Sequence, residues 1–146
     1  MSDRKPVPAV GTVCFRDGDV LLIRRGTKPL AGNWSIPGGK IEFGERAADA
    51  ALRELKEETS VTARLVGLVD VVDGIFTSRS TGDVTRHYIL FDYAAVWLSG
   101  EAVAGNDAAH AEWISPTRLA ELEIWDETRR IIEAARAMVA AGQTAS

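Results

Sequence analysis

The chain has 146 residues, 46% of them hydrophobic, and a formal net charge of -4. That length and apolar content suit one compact domain over 1–146 with a real core, and the acidic balance excludes a nucleic-acid polymer as the expected partner, because phosphate backbones are held largely by Lys and Arg. No apolar run approaches the ~18 residues of a membrane span, and the N-terminal MSDRKPVPAV lacks the apolar segment of a signal peptide, so a cytoplasmic protein with no membrane partner is expected.

Residues 1–6 read as a tail. Residues 7–15 and 20–24 are strand-like, and the Asp17-Gly18 pair between them predicts a tight hairpin. Cys14, the only cysteine, falls in the first apolar run, which excludes a disulfide within the chain and predicts a buried core thiol. Residues 26–40, rich in Gly and Pro, read as loop, with Trp34 and Ile36 as a short extended piece before Pro37. From Arg46 to Glu58, Ala, Leu, Glu, Arg and Lys dominate without Gly or Pro, which predicts a helix. Its expected buried stripe is Ala48, Ala51, Leu52, Leu55 and Thr59.

Beyond this helix, 64–73 is an apolar run suited to a well-buried strand, 74–85 reads as a polar loop, and 87–97 is β-branched and aromatic enough for another strand. A shorter strand is expected at 111–115. Ser115-Pro116 starts a short helix through Leu119, an amphipathic helix follows over 125–140, and 141–146 reads as a tail. Trp97, Trp113 and Trp125 read as core, and His87 as structural. Strands mixed with two substantial helices predict an α/β fold, a mixed β-sheet with helices packed on both faces.

Within the first helix, Glu54, Glu57 and Glu58 fall at i, i+3 and i+4, so the three carboxylates share an arc of roughly 100°. Crowding like charges at i,i+4 costs a few tenths of a kcal/mol per pair. Arg53 pairs with Glu57 at i+4, but one guanidinium does not neutralise the cluster. A hard divalent cation does, and oxygen-only donors favour Mg²⁺ or Mn²⁺. A solvated acidic helix face is the plainer reading of such a charge run. The Pro37-Gly38-Gly39 turn, which lets backbone bend sharply or approach a ligand closely, weighs against it.

Gly39, Glu45 and the run Arg53-Glu54-Leu55-Lys56-Glu57-Glu58-Thr59-Ser60-Val61 together resemble the Nudix box, the signature of hydrolases acting on nucleoside diphosphates linked to another moiety. Each fixed position of that pattern is met except at Ser60, where the family usually has glycine. Glycine there suits the left-handed conformation that ends a helix, and serine in its place costs about 1 kcal/mol.

The resemblance, which runs from about Val7 to Ala135, implies the αβα sandwich of Nudix proteins. It also implies that Glu57 and Glu58 bind the metal with help from the Gly38 carbonyl, that Glu54 is a further ligand or the general base, and that Arg53 and Glu45 are scaffolding that orients a catalytic glutamate. A further carboxylate from outside the box is common in the family. Asp107, in a segment resembling the acidic loop of several members, is the first choice for it, and Glu112 the second. At the end of the second strand, Arg24 and Arg25 lie beside the expected phosphate position, and strand alternation sends one of them away from it. Trp34 is a candidate for stacking on a base, with core packing as its other reading.

The wider pattern is similar to bacterial ADP-ribose pyrophosphatase-like and MutT-like Nudix members. The expected activity is divalent-metal-dependent hydrolysis of a phosphoanhydride, by water attack on phosphorus, in ADP-ribose, a nucleotide sugar or a (d)NTP. A catalytically silent Nudix module that binds a nucleotide as sensor or regulator is the alternative, disfavoured by the intact Glu54, Glu57 and Glu58. A non-enzymatic acidic interaction domain leaves the glycine pair unexplained. Since family members are often dimers, a homodimer is a further expectation of the resemblance.

Overall fold

The computed structural model describes residues 4–26 and 32–144. The elements are β1 (Val7–Arg16), β2 (Asp19–Arg25), β3 (Trp34–Ser35), β4 (Gly38–Lys40), α1 (Ala47–Thr59), β5 (Thr62–Thr77), β6 (Val84–Ser99), β7 (Ala108–Ile114), α2 (Pro116–Glu121) and α3 (Asp126–Thr144). They form one sheet in the order β3-β2-β1-β6-β5, with β4 added to β1 and β7 to β2. β1 and β6 are parallel and the other pairings antiparallel.

Strand alternation places the two long helices on opposite faces. Val13 and Phe15 of β1, with Val20 and Leu22 of β2, pack into one cluster with Ile131, Ile132, Ala135 and Val139 of α3. Cys14 and Leu21, the residues between, turn to the other face and meet Leu55 of α1. The period of two along each strand therefore divides the core into two layers, and the α/β sandwich expected from the sequence is present. Burial pushes the Cys14 thiol up to about 12, so it stays protonated and inert. At the predicted hairpin, Asp17 (φ 50°) and Gly18 (φ 90°) both adopt positive φ, as a two-residue turn matched to strand twist requires. Among the described residues, no helix is long and apolar enough to cross a membrane.

Five expectations need correction. In the glycine- and proline-rich 26–40 segment, of which 27–31 lie outside the described residues, the short extended piece expected at Trp34 is present as β3, but Gly38–Lys40, expected as loop, forms β4, whose register is supplied by β1 rather than by its own composition. Half of the polar stretch 74–85 is strand, with the loop confined to 78–83: β5 runs to Thr77 and β6 starts at Val84, because an antiparallel ladder needs backbone pairing but only one buried face. The buried positions of α1 are Ala50, Ala51, Leu55, Glu58 and Thr59, which puts a glutamate inside the stripe predicted to be apolar. Trp125 is 50% exposed at the entrance to α3 instead of core, and α3 itself continues to Thr144 through part of the segment read as a tail.

The end of α1 bears on the site. Ser60 adopts the left-handed conformation (φ 67°, ψ 6°), its N–H donating to the Lys56 carbonyl. The segment after β6 then covers the last turn, with Val103 N–H on the Thr59 carbonyl at 2.9 Å and Gly105 N–H on the Glu58 carbonyl at 3.0 Å, so the orphan carbonyls of the helix end are satisfied by another loop. We expect Ser60→Gly to relieve the strained φ and raise stability by up to about 1 kcal/mol, a melting-temperature increase of about 2–4 °C for a chain of this size. Thermal unfolding checks this; a lower melting temperature in the variant would show that the Ser60 hydroxyl contact with the Val103 carbonyl outweighs the strain.

Candidate active site

The site is built where α1 crosses β4. A Cβ on Gly39 would overlap the Glu54 carboxyl group, and one on Gly38 would overlap the Val10 carbonyl. Gly39 therefore leaves room for a carboxyl group of α1 over β4, and Gly38 lets β4 lie close against the backbone of β1. At the contact with α1 the Gly38 N–H donates to Glu58 Oε1 at 2.7 Å, and Glu58 is only 4% exposed.

Arg53 ties the surrounding carboxylates together. Its Nε donates to Glu45 Oε2 at 2.7 Å and its Nη2 to Glu45 Oε1 at 2.9 Å, a bidentate fork. Nη1 reaches Glu54 Oε1 at 2.9 Å and Glu57 Oε2 at 3.1 Å, and Nη2 also reaches the Lys40 carbonyl at 3.1 Å. Glu45 is held from its own side by the Glu42 N–H, in a turn that Gly44 permits with φ 84°. Asn106 Nδ2 donates to Glu57 Oε2 at 3.3 Å.

These groups border a cleft of about 500 Å³ lined by Glu54, Glu58, Gly38, Gly39, Arg25, Asp107 and Trp34 among the residues singled out from the sequence. Asp107 is brought there by two backbone contacts, Gly105 N–H to the Glu58 carbonyl and Gly26 N–H to the Asp107 carbonyl at 2.8 Å. Of the two arginines, Arg25 lines the cleft, while the Arg24 guanidinium lies 5.8 Å from the Trp34 ring. Trp34 lines the cleft and also packs against the α3-side core. Glu112, the second choice for an outside carboxylate, lies on β7 bonded to His110 and Arg118 and takes no part in the cleft lining.

The NUDIX domain family model matches residues 5–135. The chain belongs to the NUDIX domain family. An ADP-ribose pyrophosphatase from Methanocaldococcus jannaschii is 33% identical over 117 residues, 80% of this chain and 66% of the relative. An 8-oxo-dGTP diphosphatase from Escherichia coli is 30% identical over 108 residues, 73% of this chain and 78% of the relative. The crystal structure of a MutT NUDIX hydrolase from Burkholderia pseudomallei superposes with a TM-score of 0.76 at 29% identity, covering 90% of this chain and 98% of that one. Just under two thirds of the archaeal relative's length is therefore spanned by the match.

Electrostatics in this Nudix site follow from burial. Desolvation pushes the Glu58 carboxyl up to about 7; the Gly38 N–H and Arg25 oppose the shift, and the charges of Glu54 and Asp107 add to it. Glu54 is raised for the same leading reason, against the pull of Arg53. Glu45 is held down to about 2, chiefly by its hydrogen bonds from Arg53. Among the described residues, no three acidic, His or Cys side chains converge into a ready metal cage. Mg²⁺ does not need one: it is commonly held by one or two carboxylates plus waters and substrate phosphates. The donors along the cleft, Glu54, Glu58 and Asp107, are oxygen-only and electrostatically coupled, and so fit a hard cation.

Several lining residues were not picked out for the site from the sequence: Asn33, Tyr88, Asp92, Trp125 and Thr128. Asp92 stands apart, as it is 5% exposed and pushed up to about 7 by burial, with the Asp70 charge adding to the shift. Arg130 acts in the opposite direction and Glu127 adds weakly. A carboxyl whose folded pKa lies above its unfolded value binds its proton more tightly in the native state, so its contribution favours folding at low pH and is lost as pH rises through about 7. We therefore expect Asp92→Asn to gain more melting temperature relative to wild type at pH 8 than at pH 5. An equal difference at both pH values contradicts the assignment.

Proposed function

We propose that this chain is a divalent-metal-dependent pyrophosphohydrolase that cleaves a phosphoanhydride in a nucleoside diphosphate derivative or nucleoside triphosphate. The observation that carries the reading is Glu58, buried and fixed by the Gly38 N–H beside Glu54 and Asp107. It sits along a cleft whose volume is within the ordinary range for small-molecule sites. A bound Mg²⁺ or Mn²⁺ would polarise phosphoryl oxygens, activate water and offset charge on the departing phosphate.

The residues divide the remaining work. Glu58, Glu54 and Asp107 would hold the cation from the cleft, with the half-exposed Glu57 and the Gly38 carbonyl as further oxygens. Arg53, fixed by Glu45, positions Glu54 and Glu57; errors of about 1 Å in such groups cost turnover severely. Glu54 is also the general-base candidate, because burial raises its pKa. Arg25 places a cation at the cleft wall, where a phosphate oxygen would be met. The named activities of the relatives, ADP-ribose pyrophosphatase and 8-oxo-dGTP diphosphatase, define the substrates to try first.

Glutamine at position 58 keeps an oxygen that can accept from the Gly38 N–H while removing the charge. We expect Glu57→Gln and Glu58→Gln each to lower kcat about a hundredfold or more, with far-UV circular dichroism unchanged, on a panel of ADP-ribose, nucleotide sugars and (d)NTPs assayed with Mg²⁺ or Mn²⁺. Wild-type turnover that persisted in excess chelator would falsify the metal mechanism.

A further inference from the structure

Asp92 makes no hydrogen bond to any described residue, although it is 5% exposed. The nearest cation does not serve it: Arg130 gives its bonds to Asp70 (3.1 Å) and to Glu127 (2.8 and 3.1 Å). Among the described residues the sealed side-chain atoms without a partner are Trp113 Nε1 and Arg136 Nη2; the Asp92 oxygens are not among them and open onto the cleft, where a ligand can meet them. The surroundings of Asp92 indicate what kind of ligand. Asp92 lines the same cleft as Glu58, on the face of the sheet that carries Leu90 and Ala94. A Cβ on Gly11 would lie 2.5 Å from Asp92 Oδ1 and 2.7 Å from Ile36 Cδ1, so the carboxyl extends from β6 over the bare backbone of β1 toward β4.

The register fixes its place relative to the phosphate end. Asp92, Gly11 and Gly38 occupy one row across β6, β1 and β4, so two strand spacings, about 10 Å, separate the Asp92 backbone from that of the residue anchoring Glu58. A nucleotide separates its base edge from its phosphate over a comparable distance. The cleft around Asp92 is largely apolar and aromatic, with Phe76 and Tyr88 edge to face at 6.4 Å and Leu90, Ile131 and Trp125 beside them, while Glu127 and Thr128 add polar groups to the lining. Flat apolar walls with a few hydrogen-bonding groups among them suit a planar heterocycle.

We propose that Asp92 is the specificity-determining residue of a nucleobase subsite, where its carboxyl pairs with the edge of a base carrying an exocyclic amine next to a ring nitrogen. Adenine, cytosine and guanine offer that edge; uracil and thymine do not. An ionised carboxylate matches an amine beside a ring N–H, and the neutral acid matches an amine beside a ring acceptor, donating its own proton. The burial that raises the Asp92 pKa makes both forms accessible near neutrality. The proposal rests on the nucleotide reading given above and extends it to the base. It assigns Asp92 no part in the chemical step.

Calorimetric titration with AMP, GMP, CMP, UMP and ribose 5-phosphate, in chelator so that no hydrolysis or metal binding intervenes, tests the subsite separately from the activity. Wild-type protein should bind at least one amine-bearing monophosphate about tenfold or more tightly than UMP, in keeping with the selectivity of buried polar groups for matched partners. Asp92→Leu and Asp92→Ala should abolish that preference, leave ribose 5-phosphate affinity within about twofold, and not lower the melting temperature at pH 8 in the leucine variant. The proposal is overturned if UMP binds as well as the others, or if the preference survives both substitutions. It is also overturned if ribose 5-phosphate affinity falls in step, or if wild type binds none of the monophosphates. In the last case the hydrolase reading still stands or falls on phosphate-bond cleavage in the substrate panel.

Discussion

The close packing of α1 and β1 against β4 at Gly38 and Gly39 is the constraint from which the rest of the site follows. Neither residue can carry a Cβ without overlapping Glu54 or the Val10 carbonyl. Because the helix lies that near, Glu58 reaches the Gly38 N–H and is drawn out of solvent. Burying a carboxylate beside two others is unfavourable by itself, and the single hydrogen bond does not offset it, as the raised pKa of Glu58 shows. A cation supplied from solution is the economical remedy. The strain thus sits where the proposed chemistry needs a high local affinity for positive charge.

Two further devices hold this arrangement. Arg53 is itself fixed by the Glu45 fork and so keeps Glu54 and Glu57 in place instead of merely neutralising them. From the other side, the segment after β6 caps the last carbonyls of α1, and that same capping delivers Asn106 to Glu57 and Asp107 to the cleft. A helix-end requirement and a functional requirement are met by one loop. Substitution of Ser60 for glycine leaves this intact, since serine still takes the left-handed conformation.

What could be read from the sequence was what local spacing controls. Helical periodicity grouped Glu54, Glu57 and Glu58, the glycine pair announced a close approach, and strand alternation implied that Arg24 and Arg25 would differ in their relation to the site; Arg25 lines the cleft and Arg24 lies over Trp34. The burial of Glu58 was not legible, because a helical wheel gives no reason to turn a glutamate inward; only contact with β4 does. Asp92 was hidden for a similar reason. Its importance depends on the parallel pairing of β6 with β1 and on Gly11 lying beside it, relations between residues some eighty positions apart that no local pattern encodes. Trp125 was misread because it has the right spacing for the apolar face of α3 yet lies just before the helix begins, where its ring borders the cleft.

The central claim is that the buried Glu58, fixed on Gly38, holds a divalent cation. Titration with Mn²⁺, followed by electron paramagnetic resonance of the free ion at pH 8 without nucleotide, tests it most directly in wild type, Glu58→Gln and Glu112→Gln. The account predicts a Mn²⁺ site in wild type that is retained in Glu112→Gln, whose carboxylate is occupied by His110 and Arg118 away from the cleft, and weakened at least about tenfold in Glu58→Gln. Equal Mn²⁺ affinity in wild type and Glu58→Gln would contradict it.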